Sequence, residues 1–331
     1  MLTSFPAGSQ ALVQGASRGI GLEFVRQLLA QPVVGRVFAG CRAPDQADEL
    51  VTLAANEPRL QVVPLDVTDE ASIAQASATV ASVTDRLHLV LNCAGILHGG
   101  AVALAPEKRL ADVRVEALSA SFAVNAFGPL LVAKHFERLL AHRERAVFAS
   151  ISARVGSIGD NHLGGWYAYR GAKAAQNMFT KTLAIEWARS RRNVVCVALH
   201  PGTTDTDLSR PFQASVPPEN LFSPERTVRQ LLELNPDEAQ RRMAHPDLTA
   251  SMIYRWQSEV SLQCHAGLSP SDASLLVACG LDDPEELARG PPLRQDRGPG
   301  RAVLDQSAVR ERAQLHERCV HAGHGAGSAA Q

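Results

Sequence analysis

Six short, continuously apolar runs recur along the first two hundred residues, at 11–14, 36–41, 60–65, 87–92, 146–151 and 193–199. They are rich in Val, Leu and Ile and lack the polar alternation of a strand with one wet face. That pattern fits strands buried on both faces, as in a parallel sheet. Between them, 19–31, 70–84, 121–141 and 167–189 carry apolar residues at helical spacing. Strand and helix in alternation imply right-handed crossovers, and so an α/β fold with a doubly wound parallel sheet, the Rossmann fold.

Charge narrows the function. Thirty-three Lys and Arg against 34 Asp and Glu leave a net charge of −1, which supplies no electrostatic attraction for nucleic acid or an anionic membrane. A hydrophobic content of 45% is sufficient for a core. No run approaches the roughly 18 apolar residues of a membrane span, and residues 1–10 do not read as a signal peptide. A cytoplasmic protein is expected. The six cysteines are scattered with no Cys-x-x-Cys pair, so neither a disulfide framework nor a metal site is expected.

Directly after the first apolar run comes Gly15-Ala16-Ser17-Arg18-Gly19-Ile20-Gly21, which opens a helix. Glycines there let the backbone turn tightly and approach a pyrophosphate, whose charge then sits at a helix N-terminus. Folds that select NAD place an acid at the end of the second strand, against the ribose hydroxyls. Here that strand is followed by Arg42, with no acid until Asp45. Arg18 adds a second guanidinium, and paired donors of this kind suit a 2′-phosphate. The expected cofactor is NADP(H).

Farther on, Tyr169 and Lys173 stand four residues apart, on one face of a helix. A phenol near pKa 10 is a poor acid at neutral pH; a neighbouring ammonium favours the phenolate and lets the pair pass a proton to a carbonyl oxygen.

Gly15-x-x-x-Gly19-x-Gly21, Asp66-Val67, Asn92-Cys93-Ala94-Gly95, Asn125, Tyr169-x-x-x-Lys173 and Pro201-Gly202 follow one another in order. In this the chain resembles the classical short-chain dehydrogenase/reductase family over residues 8–234. The stretches 155–161, 164–170 and 199–202 are similar to its C-factor and carbonyl-reductase-like branch. The resemblance implies that Tyr169 is the general acid and base, with Lys173 on the nicotinamide ribose and Asn125 holding a relay water. It implies that Gly15, Ser17, Arg18, Gly19, Ile20 and Gly21 cradle the pyrophosphate, and that Asp66 and Val67 meet the adenine. Asn92, Ala94 and Gly95 would line the middle of the cofactor, and Pro201, Gly202, Thr203 and Thr206 the nicotinamide amide. Cys93 replaces the family's usual Asn. Where the family carries its catalytic serine, this chain has Ala153; Ser152 or Ser157 is then the replacement, and the sequence leaves both open.

The segment 222–234 reads as a helix capped by Ser223, with Pro224 at its first position. No final strand follows where the family has one, and a small helical C-terminal extension replaces it. Residues 235–290 resemble a helix-hairpin-helix unit, and 291–331 read as a disordered tail. From Arg289 to Arg318 seven arginines face four acids, a solvated charge pattern more than a nucleic-acid arm. The reading as a whole is an NADP(H)-dependent oxidoreductase acting on a small carbonyl or alcohol, and a homodimer paired through 121–141 and 167–189. The alternative is a nucleotide-binding regulatory protein with weak turnover.

Overall fold

The computed structural model describes residues 2, 5–190 and 193–234. The chain divides into two compact units, Met1–Ala250 and Ser251–Gln331, and the described residues all belong to the first. The expected extension at 235–290 and the tail at 291–331 lie outside the described residues.

Among these, six strands form one parallel sheet: β1 (Ser9–Gln14), β2 (Val34–Cys41), β3 (Leu60–Pro64), β4 (Leu89–Asn92), β5 (Ala146–Ile151) and β6 (Val194–Leu199). Their order is β3-β2-β1-β4-β5-β6. The strands are apolar throughout because helices cover both faces; every residue of β4 and β6 is buried. Strand order reverses between β1 and β4, whose ends pair as Gln14 with Asn92. A crevice opens beyond the carboxyl ends at such a reversal. The segments singled out in the sequence follow those ends, from Gly15 after β1 to Pro201 after β6.

The covering helices are α1 (Gly19–Leu29), α2 (Asp48–Asn56), α3 (Glu70–Ala81), α4 (Val115–Phe122), α5 (Gly128–Leu140), α6 (Tyr167–Arg189) and α7 (Pro224–Glu233). Helix α2 escapes the sequence reading because it buries one side chain, Leu50, too little for an apolar period. It is fastened instead by an ion pair from Arg26 of α1 to Glu49, at 2.6 Å. Helix α7 forms as expected, the Ser223 hydroxyl accepting the Arg226 N–H. Gln27 of α1 donates to the Glu225 carbonyl and ties α7 to the first crossover. A two-residue pair, β7 (Thr203–Thr204) with β8 (Leu221–Phe222), closes the base of the loop after β6.

Helices α4 and α5 form one helical stretch, Val115–Leu140, joined by a π-turn at Ala123–Phe127. By length and composition this stretch is apolar enough to cross a membrane, which corrects the expectation that none is. Its inner face belongs to the core: Val132, Ala133, Phe136, Leu139 and Leu140 are packed with Leu12, Phe148 and Trp187. Deleting a fully buried phenyl ring there removes both transfer energy and packing. Phe136→Ala should therefore lower stability in aqueous urea titrations by about 3–5 kcal/mol. A loss below about 1 kcal/mol would mean that this helix does not seal the sheet.

Candidate active site

The glycine-rich turn is held by backbone contacts that leave no room for side chains. Gly15 takes φ +83°, and a Cβ on it would run into the Ala94 backbone beyond β4. A Cβ on Gly21 would strike the Gly15 carbonyl oxygen, so α1 lies directly beneath the turn. The N–H groups of Gly15 and Ala16 both donate to the Gly40 carbonyl on β2. Helix α1 then starts at Gly19 with no side-chain cap and no acid in its first turn. Its first N–H groups, with no intrahelical acceptor, suit an anion. The residues fit a dinucleotide pyrophosphate.

Two cations flank this turn. Arg18 is 79% exposed and lies 3.7 Å from Asp207, which also pairs with Arg210 at 2.8 Å. Arg42 is exposed just past β2. Past β3, the Asp66 carboxylate accepts the Thr68 N–H and hydroxyl, while Val67 packs on Gly128, where a Cβ would lie 2.8 Å away. At the end of β4, the Asn92 amide donates to the Ala149 carbonyl and the Ser150 hydroxyl, and its buried Oδ1 has no partner. The Ala94 N–H reaches the Gln14 side chain at 3.3 Å. Beyond β6, Thr206 packs over Gly19: its Cγ2 would lie 3.3 Å from an added Cβ. Gly202, at φ +70°, sits beneath the Phe222 ring. Pro201 and Thr203 flank it in the chain, and the Pro201 carbonyl accepts the Thr204 hydroxyl.

Asn125 occupies the π-turn, a distortion common at functional positions because it re-aims a side chain out of helical phase. Its Oδ1 accepts the Ile96 N–H at 3.1 Å, and its Nδ2 donates to the Ile96 carbonyl at 2.8 Å and to the Ser121 carbonyl at 3.0 Å. The amide therefore clamps the loop after β4 to the helix. A carry-over from resemblance alone, as a holder of water, missed this mechanical role.

Tyr169 and Lys173 share one face of α6, with the ammonium nitrogen 5.8 Å from the centre of the phenol ring. Lys173 is 3% exposed. Its Nζ donates to the Ile151 carbonyl at 2.7 Å and to Gln176 Oε1 at 2.9 Å. Burial lowers its pKa to about 7. The neighbouring phenol is pushed above its ordinary range, again by burial. Without a ligand, desolvation thus outweighs the mutual stabilisation expected of a phenolate beside an ammonium. The same cause raises the Cys93 thiol. It also lowers His200, whose buried Nδ1 has no partner, to about 4.

The serines separate. The Ser152 hydroxyl donates to Asn177 Oδ1 at 2.6 Å and is buried. Ser157 accepts the Asp160 N–H and so keeps its own proton for donation. Ala153 leads into a 3-10 turn, Arg154–Gly156, that rests on α6; a Cβ at Gly156 would lie 2.8 Å from the Lys173 carbonyl carbon.

Sequence reasoning passed over Glu107, a buried acid whose carboxylate accepts the Ala168 N–H at the start of α6. It carries no motif signal; only the fold brings it there. At the opposite end of β4, His88, His142 and Glu144 hold ligand atoms within 4.8 Å of one another. His88 Nδ1 accepts the Gln10 N–H, so Nε2 carries the proton shared with Glu144. His142 stands apart from that bond: its Nε2 meets the Leu87 carbonyl and its buried Nδ1 has no partner.

The family described as short chain dehydrogenase matches residues 9–216, and a domain of unknown function, DUF4332, matches 226–296. An uncharacterised oxidoreductase of Schizosaccharomyces pombe is 32% identical over 198 residues, 60% of this chain and 74% of that protein. The 1-hydroxy-2-glutathionyl-2-methyl-3-butene dehydrogenase of a Rhodococcus species is 31% identical over 245 residues, 73% of this chain and 98% of that one. Among solved structures, the NADPH-bound carbonyl reductase from chicken fatty liver is similar with a TM-score of 0.60 and 33% identity. That match covers 68% of this chain and 85% of that one.

Burial of Lys173 makes stability depend on pH. Between about 7 and its ordinary 10.5 the unfolded chain holds this proton and the folded chain does not. Unfolding then takes up a proton, so stability rises with pH across that window and is flat in this respect below it. Urea midpoints of the unliganded protein at pH 7 and 9.5 should show a larger rise than those of Lys173→Met. Equal rises would place the lysine in a charged, solvated state.

Proposed function

The chain belongs to the short-chain dehydrogenase family, and on that premise we propose that it is an NADP(H)-dependent reductase of small aldehydes or ketones. The observation that carries this reading is the pairing of Tyr169 with buried Lys173, on the helix that borders the crevice at the β1–β4 reversal. A reduced nicotinamide dinucleotide, when bound, supplies the hydride. Tyr169 gives the proton to the carbonyl oxygen, and Lys173, on the same helical face, favours the phenolate left behind. Arg18 and Arg42 hold the 2′-phosphate that distinguishes NADPH from NADH. Ser157 orients the carbonyl in place of the hydroxyl missing at Ala153, since Ser152 is committed to Asn177. Asn125 keeps the wall after β4 in register with the helix.

Exposed apolar residues on the two long helices, Val115, Phe127, Met178 and Ile185, support a homodimer paired through them. The carbonyl-reductase-like branch is favoured over other branches by the solved reductase at 33% identity. For residues 235–290 the resemblance to a helix-hairpin-helix unit supports a packing or protein-contact role, because the stretch 266–287 contains no Lys or Arg. One observation favours a second reading, a nucleotide-binding regulator with little turnover: Ala153 removes a preorganised donor, typically worth about 10²–10³ in rate.

The test is NADPH consumption at 340 nm with a panel of carbonyls. Tyr169→Phe should lower the rate by about 10²–10⁴, and equal rates would reject the assigned acid. Ser157→Ala should lower kcat by about 10²–10³, while Ser152→Ala acts on stability. Arg42→Ala should weaken NADPH and leave NADH unchanged, as read by the two dissociation constants. Tight NADPH binding with no turnover on any carbonyl would favour the regulator.

A further inference from the structure

Beside Tyr169 the stretch 164–166 builds a wall. Gly164, Gly165 and Trp166 take φ of +65°, +66° and +53° in succession. Glycine accepts this region freely; a bulky side chain there is strained, at a cost on the order of 1–3 kcal/mol. The strain at Trp166 is enforced by Glu107. Its carbonyl accepts the Trp166 N–H at 2.6 Å, and its carboxylate caps the helix at Ala168. A Cβ at Gly165 would lie 3.1 Å from that same carbonyl. A third glycine would satisfy this backbone, yet the position carries an indole.

The indole faces aromatic neighbours. It lies edge-on to the Tyr169 ring, with centroids 6.4 Å apart. On it sits Phe212, at 4.9 Å, which in turn meets His98 at 6.1 Å. Phe212 rides on a 3-10 turn, Arg210–Ser215, in the loop between β7 and β8 and outside the core sheet. Nearby polar groups are engaged elsewhere: Arg170 Nε donates to the Gly164 and Gly165 carbonyls, and His98 bonds the Asp207 carbonyl.

We propose that this wall is an aromatic slot and that the substrates of the site are carbonyl compounds bearing a flat aromatic ring, packed against Trp166. The proposal rests on the reductase reading and specifies its substrate class. The ring places its carbonyl toward Tyr169, while Phe212 and its loop adjust to admit it. Offset or edge-to-face ring pairs have centroids 4.5–7 Å apart, the range already found among these side chains.

The experiment compares benzaldehyde with cyclohexanecarbaldehyde, equal in size and different in flatness, using NADPH and the full chain. In the parent, kcat/KM should favour benzaldehyde by about 2- to 12-fold, the equivalent of roughly 0.5–1.5 kcal/mol for a ring pair. Trp166→Phe should keep the preference, and Trp166→Leu should bring it to about one. Trp166→Gly, which relieves the strained backbone, should also abolish it and guards against a variant that fails to fold. A preference absent in the parent, or surviving in both Leu and Gly variants, overturns the slot. Calorimetry with benzamide against cyclohexanecarboxamide reads the slot without turnover. If no carbonyl consumes NADPH but benzamide binds more tightly by the same factor, and only when residue 166 is aromatic, the reductase reading falls and the slot stands. Equal binding of the two amides overturns the slot itself.

Discussion

Everything at the site depends on how closely three pieces of backbone approach one another where the sheet reverses. Gly21 lies under the Gly15 carbonyl, and Gly15 lies against Ala94 beyond β4. A methyl group at either glycine would push the first helix away from the fourth strand. With both absent, the uncapped start of α1 faces the same crevice as the loop carrying Asn92, Ala94 and Gly95. The glycine turn and the backbone beyond β4 thereby come to share one wall.

Helix α6 is fixed from several sides at once. Gly156 rests on the Lys173 backbone, and the Lys173 ammonium is tied to the Ile151 carbonyl at the end of β5. Glu107 fastens its first turn. The π-turn between α4 and α5 sends Asn125 across to clamp Ile96. These links tie α6 and its neighbours to the end of β5 and to the loop after β4, while the Tyr169 ring itself meets Trp166 and Lys173 of its own helix.

Burial sets the protonation of the Tyr169–Lys173 pair. Burial lowers Lys173 to about 7 and pushes the Tyr169 phenol up, so the unliganded pair is disposed toward neutrality. A bound group bringing negative charge and hydrogen-bond acceptors to Lys173 reverses that balance by favouring the ammonium.

The sequence by itself determined the α/β class, the six strands, the glycine turn and the pairing of Tyr169 with Lys173. Each is a local matter: apolar runs declare buried strands, and residues four apart on a helix share a face whatever surrounds them. Helix α2 was not legible, because an element that buries one leucine leaves no period. The apolarity of Val115–Leu140 is interrupted by Ser119, Ser121 and Asn125, so no unbroken run announces it. Only the tertiary structure decided which serine is tied to Asn177, what Asn125 holds, and that Glu107 meets Trp166 and Ala168 at the start of α6. Those outcomes turn on hydrogen-bond partners distant in the chain, such as Asn177 for Ser152 and Ala168 for Glu107. A hydroxyl or carboxylate has no role of its own until folding chooses its neighbour.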